Sequence, residues 1–121
     1  MIGYTMVGTN DLDAAATFYD ALFGEAGGKR VMENERMVLW GWGKGAPMFG
    51  VVKPFDGNPA TVGNGTMIAL YCPDHATVDK LHGKAMALGA KDEGAPGPRG
   101  DAFYGGYFRD LDGNKLVFFN M

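Results

Sequence analysis

The chain has 121 residues, 46% of them apolar and 21% charged, with a net charge of −3. That length suits one domain and the apolar share is enough for a packed core. The charge balance gives no electrostatic reason to expect nucleic acid or acidic membranes as partners, and the longest apolar runs are strand-sized, too short to cross a bilayer.

Ile2 to Thr9 reads as a first strand. Asn10 and Asp11 can cap a following helix, because their side-chain oxygens accept from backbone N–H groups that lack partners. Leu12, Ala15, Ala16, Phe18, Tyr19, Leu22 and Phe23 recur at helical spacing. Gly24 and the Gly27-Gly28 pair end that helix. Lys29 to Glu33 and Arg36 to Trp42 read as strands joined by a turn at Asn34-Glu35. Gly43-Lys44-Gly45 is a turn, and Pro47 to Lys53 is a fourth strand.

Residues 54–65 break the pattern with Pro54, Asp56-Gly57-Asn58-Pro59 and Gly63-Asn64-Gly65, which predicts a linker. Met67 to Tyr71 opens a second series. Pro73 suits a helix entrance. Val78, Leu81, His82, Ala85, Met86 and Leu88 give the apolar face of a second helix, and Gly89 stops it. Glu93 to Gly100, rich in Gly and Pro, reads as a loop. Phe103 to Arg109 and Lys115 to Asn120 are strands joined by a tight turn at Asp110-Leu111-Asp112-Gly113-Asn114.

The second half repeats the first. Asp11 and Asp74 lie 63 residues apart, and each follows an apolar strand and precedes an amphipathic helix. Repeat one spans 1–53, the linker 54–65 and repeat two 66–121, all within one domain. Each repeat reads β-α-β-β-β. The fold class is therefore α+β, with two βαβββ repeats whose curved mixed sheets surround a central cavity, one helix per repeat on the outside. Cys72 is the lone cysteine, so no intrachain disulfide can form. That suits a cytoplasmic protein, and no basic segment followed by an apolar stretch marks a secretory signal.

Several stretches carry a family resemblance: Thr9-Asn10-Asp11-Leu12, Phe18-Tyr19 with Leu22-Phe23-Gly24, Asp74 through Ala90, and Gly94-Ala95-Pro96-Gly97-Pro98-Arg99. The most specific is the hairpin Tyr107-Phe108-Arg109-Asp110-Leu111-Asp112-Gly113-Asn114. Together they resemble the vicinal oxygen chelate superfamily of glyoxalase I, bleomycin-resistance proteins and extradiol-type dioxygenases, over essentially the whole chain. The resemblance implies the fold and leaves function open among isomerases, transferases, dioxygenases and binders.

Enzymes of that superfamily hold a divalent metal with His, Gln or Glu from the first and last strand of each repeat. The resemblance carries those positions to Tyr4, Met67 and Val117, with Phe49 as the fourth when counted from Gly45. None is a usual ligand for such an ion, so no metal and no other cofactor is expected. His75 and His82 read as surface and core histidines. Cys72 reads as a buried small hydrophobe without an activating base.

Strand alternation puts Tyr4, Met6 and Gly8 on one face, as it does Met67, Ala69 and Tyr71, and Val117 with Phe119. The analogy makes these cavity faces. Val38, Trp40 and Trp42 share a third, read here as a groove wall. Tyr4, Tyr71, Arg99, Tyr104 and Tyr107 are the polar groups that can orient a ligand, with Arg99 suited to a carboxylate or phosphate. The expected ligand-binding set is Tyr4, Met6, Trp40, Trp42, Met67, Tyr71, Arg99, Tyr104, Tyr107 and Val117. Three functions compete. One is a metal-independent binder of a small apolar or aromatic molecule, of the bleomycin-resistance type. Another is an enzyme related to lactoylglutathione lyase or a dioxygenase. The third is an assembly module. A small organic ligand and a second copy of the chain, as a homodimer, are the expected partners.

Overall fold

Asp11 starts the first helix as its capping residue: its side chain accepts from the Ala14 N–H at 3.1 Å. Asp13 in the first turn adds favourable charge at the positive end of the helix dipole. The helix, α1 (Leu12–Gly24), buries Leu12, Ala15, Ala16, Phe18, Tyr19, Leu22 and Phe23, the seven residues that its periodicity predicts. It ends where Gly28 returns its N–H to the Phe23 carbonyl at 2.8 Å and Gly27 adopts φ +79°. The second helix, α2 (His75–Ala87), is capped in the same way. Asp74 accepts from the Thr77 N–H at 2.8 Å and from the Thr77 hydroxyl at 2.6 Å. Gly89, at φ +100°, stops it.

The computed structural model describes residues 1–121 and divides into two compact units, Met1–Val62 and Gly63–Met121. The first holds β1 (Tyr4–Gly8), α1, β2 (Lys29–Glu33), β3 (Met37–Gly41) and β4 (Met48–Val52), with strands in the order β1-β4-β3-β2. The second holds β5 (Ile68–Tyr71), α2, β6 (Lys91–Arg99), β7 (Phe103–Arg109) and β8 (Lys115–Asn120), in the order β5-β8-β7-β6. In each sheet the first strand runs parallel to the last and the remaining pairs are antiparallel. Both units are therefore βαβββ, with mixed four-stranded sheets that curve without closing. The element pattern predicted the α+β class correctly.

One local reading needs correction. Residues 93–99 are not a loop but most of β6, which pairs with β7 from Lys91↔Arg109 to Arg99↔Phe103, and only Gly100 is in a turn. Pro96 and Pro98 are tolerated because β6 is an edge strand and its register slips twice, at Asp92/Gly94 and at Gly94/Gly97. Residues 54–62 group with the first compact unit. The Asn10 side chain accepts from the Ala60 N–H at 2.7 Å and donates to the Ala60 carbonyl at 3.3 Å. Gly8 admits Ala60 so closely that a Cβ there would sit 2.9 Å from the Ala60 methyl.

Candidate functional site

In the first unit α1 covers one sheet face with an aromatic cluster. The Tyr19 ring lies 4.9 Å from Phe49 and 5.6 Å from Trp40, and Phe23 lies 5.0 Å from Trp42. Trp40 is fully buried there, and its indole N–H donates to Asp20 Oδ1 at 2.9 Å. Arg30 completes the cluster with two bonds to the same carboxylate, at 2.9 and 2.7 Å. That Arg30 fork, more than the indole bond, holds the Asp20 carboxyl below the usual range.

The placement of Trp40 and Trp42 on a groove wall is therefore corrected. Both stand on the helix side, because the apolar face of α1 takes the largest side chains of the sheet. The face opposite carries Tyr4 and Met6 of β1. It also carries three positions that the sequence reading missed: Leu39, Met48 and Gly50. A Cβ on Gly50 would meet Leu39 Cγ and Met6 Cε, each at 3.1 Å, and one on Gly41 would meet Val31 at 3.1 Å and Met48 at 3.5 Å. The signal was present in the chain, since residues flanking Trp40 must face away from it. This face is apolar and adaptable, with methionine side chains packed over the backbone of Gly41 and Gly50.

In the second unit β7 splits the two candidate tyrosines. Gly106 and Phe108 face α2: a Cβ on Gly106 would meet His82 at 2.9 Å, and the Phe108 ring lies edge-on to His82. Tyr104 shares that side. It stacks on His75 with ring centres 3.9 Å apart and donates its hydroxyl to Asp79 at 2.7 Å. The Asp79 carboxylate raises the Tyr104 phenol above its ordinary value, mainly through that hydrogen bond. Tyr104 thus leaves the predicted ligand face. His82 is nearly buried, and its Nε2 lies 3.1 Å from the Tyr107 carbonyl and 3.2 Å from Asp92 Oδ1. Two acceptors there mean that Nε2 carries the proton.

The opposite face brings together Tyr71, Val117, Phe119, Phe103, Tyr107 and Arg99. Phe103 and Phe119 are parallel with centres 5.3 Å apart, Tyr71 meets Phe119 edge-on at 5.8 Å, and Phe103 lies 6.5 Å from Tyr107. Val117 is buried between them, whereas Tyr71 is exposed. Cys72 points away from this face and is buried, which pushes its thiol up to about 11. At the hairpin end a depression of about 580 Å³ is lined by Lys91, Glu93, Arg109, Asp110, Leu111 and neighbouring glycines. Arg109 is bound there by Glu93 at 2.7 Å and by the Gly113 carbonyl at 3.1 Å.

The fourth metal position also needs correction. Val117 pairs with Ala69, and Ala69 is the repeat equivalent of Met6, which pairs with Gly50. Phe49 pairs with Thr5 and packs on α1. Counting from Gly45 was off by one because the turns before β4 and β8 differ in length. With the register corrected, the resemblance carries the metal positions to Tyr4 and Gly50 in the first unit and to Met67 and Val117 in the second. A glycine, an aliphatic side chain, a thioether and one phenol do not fit a divalent metal. No three His, Cys, Asp or Glu side chains are grouped elsewhere so as to hold one.

The sequence profile of the Glyoxalase/Bleomycin resistance protein/Dioxygenase superfamily matches residues 1–118. The chain belongs to this superfamily. A glyoxalase/bleomycin resistance protein from Albidiferax ferrireducens T118 is similar to it at 34% identity, covering 100% of this chain and 98% of that one, with a TM-score of 0.90. A lactoylglutathione lyase from Agrobacterium tumefaciens is similar at 25% identity, covering 98% and 92%, with a TM-score of 0.74. TioX from Micromonospora sp. ML1, at 17% identity, 99% and 98% coverage and a TM-score of 0.72, shares the superfamily fold. No curated protein sequence matches the chain. No helix is long and apolar enough to cross a membrane.

Proposed function

We propose that this superfamily member binds a small apolar or aromatic organic molecule on its sheet faces, without a metal. The observation that carries the reading is the donor set at the superfamily positions, Tyr4, Gly50, Met67 and Val117, which supplies contact surface instead of ligands for an ion. Methionine and aromatic side chains give large, polarizable surface suited to flat apolar molecules. The same reading makes the protein a cytoplasmic homodimer, and a monomeric elution at micromolar concentration would count against the dimer.

The test is a thermal-shift screen of chelator-treated protein against aromatic, thiol-derived and antibiotic-like compounds, with hits measured by calorimetry in EDTA. Binding that survives EDTA supports the proposal. Binding that needs added zinc, nickel, manganese or iron refutes it. The similarity to the Agrobacterium lactoylglutathione lyase favours a second reading, an enzyme with a non-standard site. Metal-dependent turnover of a hemithioacetal would put that reading first.

A further inference from the structure

The α2-distant face of the second unit's sheet carries two cations, Arg99 and Lys115, to which no carboxylate is hydrogen-bonded. The Arg99 guanidinium lies 5.5 Å from the centre of the Tyr107 ring, and Lys115 Nζ lies 5.7 Å from it. Arg99 donates only to the carbonyls of Ala95 and Pro98, at 2.9 and 3.3 Å. Lys115 has the ring contact and lies in the field of Glu93, with no hydrogen bond to it. Glu93, the carboxylate that senses Lys115, is hydrogen-bonded by Arg109 instead. A ring face attracts a cation but leaves its charge in place. In a chain of net charge −3, two such cations over one ring make a local positive site.

The same face supplies a platform beside that charge. Gly105 has no side chain, and a Cβ there would fall 2.6 Å from Phe103 Cε1 and 3.2 Å from Val117. The Phe103 ring therefore lies over Gly105, parallel to Phe119 on one side and within 6.5 Å of Tyr107 on the other. Phe103, Tyr107 and Phe119 are each only partly buried, so ring surface remains accessible.

We infer that this face takes a flat aromatic ligand bearing a carboxylate, its ring against Phe103 and Phe119 and its anion held by Arg99 and Lys115. The inference rests on the binding function proposed above and adds the charge of the ligand. A guanidinium and an ammonium differ in shape, and together they hold a carboxylate through a fork and a point charge.

The test compares 2-naphthoate with uncharged 2-naphthalenemethanol by calorimetry in EDTA. Naphthoate should bind at least about tenfold tighter, and raising the salt should weaken it. Arg99→Gln and Lys115→Gln should each cost naphthoate about tenfold while leaving the alcohol unchanged. Both positions are at the surface of the sheet, and circular dichroism confirms folding of each variant. An alcohol that binds as tightly as the acid overturns the inference and leaves the binding function standing. Equal losses for both probes overturn it as well. Failure of both probes to bind also overturns it, and only a silent compound screen would then bring down the binding function too.

Discussion

Asp20 ties α1 to β2 and β3, and replacing it tests whether Trp40 is a structural residue. In Asp20→Ala the indole N–H of a fully buried tryptophan loses its only acceptor. A buried donor without a partner costs about 1–3 kcal/mol. The Arg30 fork contributes less, because the two side chains are 35% and 43% exposed and water screens them, so about 0–1 kcal/mol. The expected loss is about 2 kcal/mol, most of it at the indole. Asp20→Asn should cost under about 1 kcal/mol, since an amide oxygen still accepts from the indole. Urea unfolding followed by far-UV circular dichroism measures both. In a Trp40→Phe background, which has no indole donor, Asp20→Ala should cost about 1 kcal/mol less than in the native background. Equal cost in the two backgrounds would refute the argument and reopen Trp40 as a ligand-facing residue. The pH dependence gives a second check. The native Asp20 carboxyl is depressed, so its contribution is complete above the unfolded carboxylate value, about pH 4, and is lost as pH falls through the native value. The gap between native protein and Asp20→Asn should therefore be widest at neutral pH and close in acid.

Two further outcomes follow from packing. Gly106→Ala places a Cβ 2.9 Å from His82 and 3.0 Å from Pro96, and overpacking of this kind should cost about 1–3 kcal/mol; Gly83→Ala, with nothing within 4 Å on the surface of α2, should instead stabilise by about 0.5–1 kcal/mol. Thermal unfolding of the two variants should shift in opposite directions, and a neutral Gly106→Ala would show that α2 does not press on β7 there. Cys72, buried with its thiol raised to about 11, should react with Ellman's reagent at pH 8 far more slowly in native protein than in urea. Equal rates would mean that the β5 end opens readily.

The sequence discloses a helix face more fully than a strand face. In α1 polar residues such as Asp13, Thr17 and Asp20 interrupt the apolar ones, so the 3.6-residue period names the buried side without ambiguity. In β3, Met37-Val38-Leu39-Trp40-Gly41 is apolar throughout and both sides are largely buried. Alternation then sorts the residues into two sets but cannot say which set meets α1, so the side of Trp40 is decided only in the fold. Tyr104 and Tyr107 are a different case. Three residues apart on one strand, they cannot share a face unless a bulge intervenes, so their separation was legible. Phe49 and β6 depended on information that lies between elements. The register of β4 is set by pairing with β1, and β6 tolerates its prolines because nothing pairs with its outer edge and its register slips. Lys115 escaped notice because a charged residue at a strand start reads as solvated until its neighbours are known. On the folded sheet it lies across the strand pair from Arg109, with its ammonium 5.7 Å from the centre of the Tyr107 ring and no acid hydrogen-bonded to it. A surface charge without a hydrogen-bonded acid costs the protein little while water reaches it, and it becomes worth much more once a flat ligand displaces that water. The same residues therefore read as ordinary surface in the free protein and as a binding site when an aromatic acid lies against Phe103.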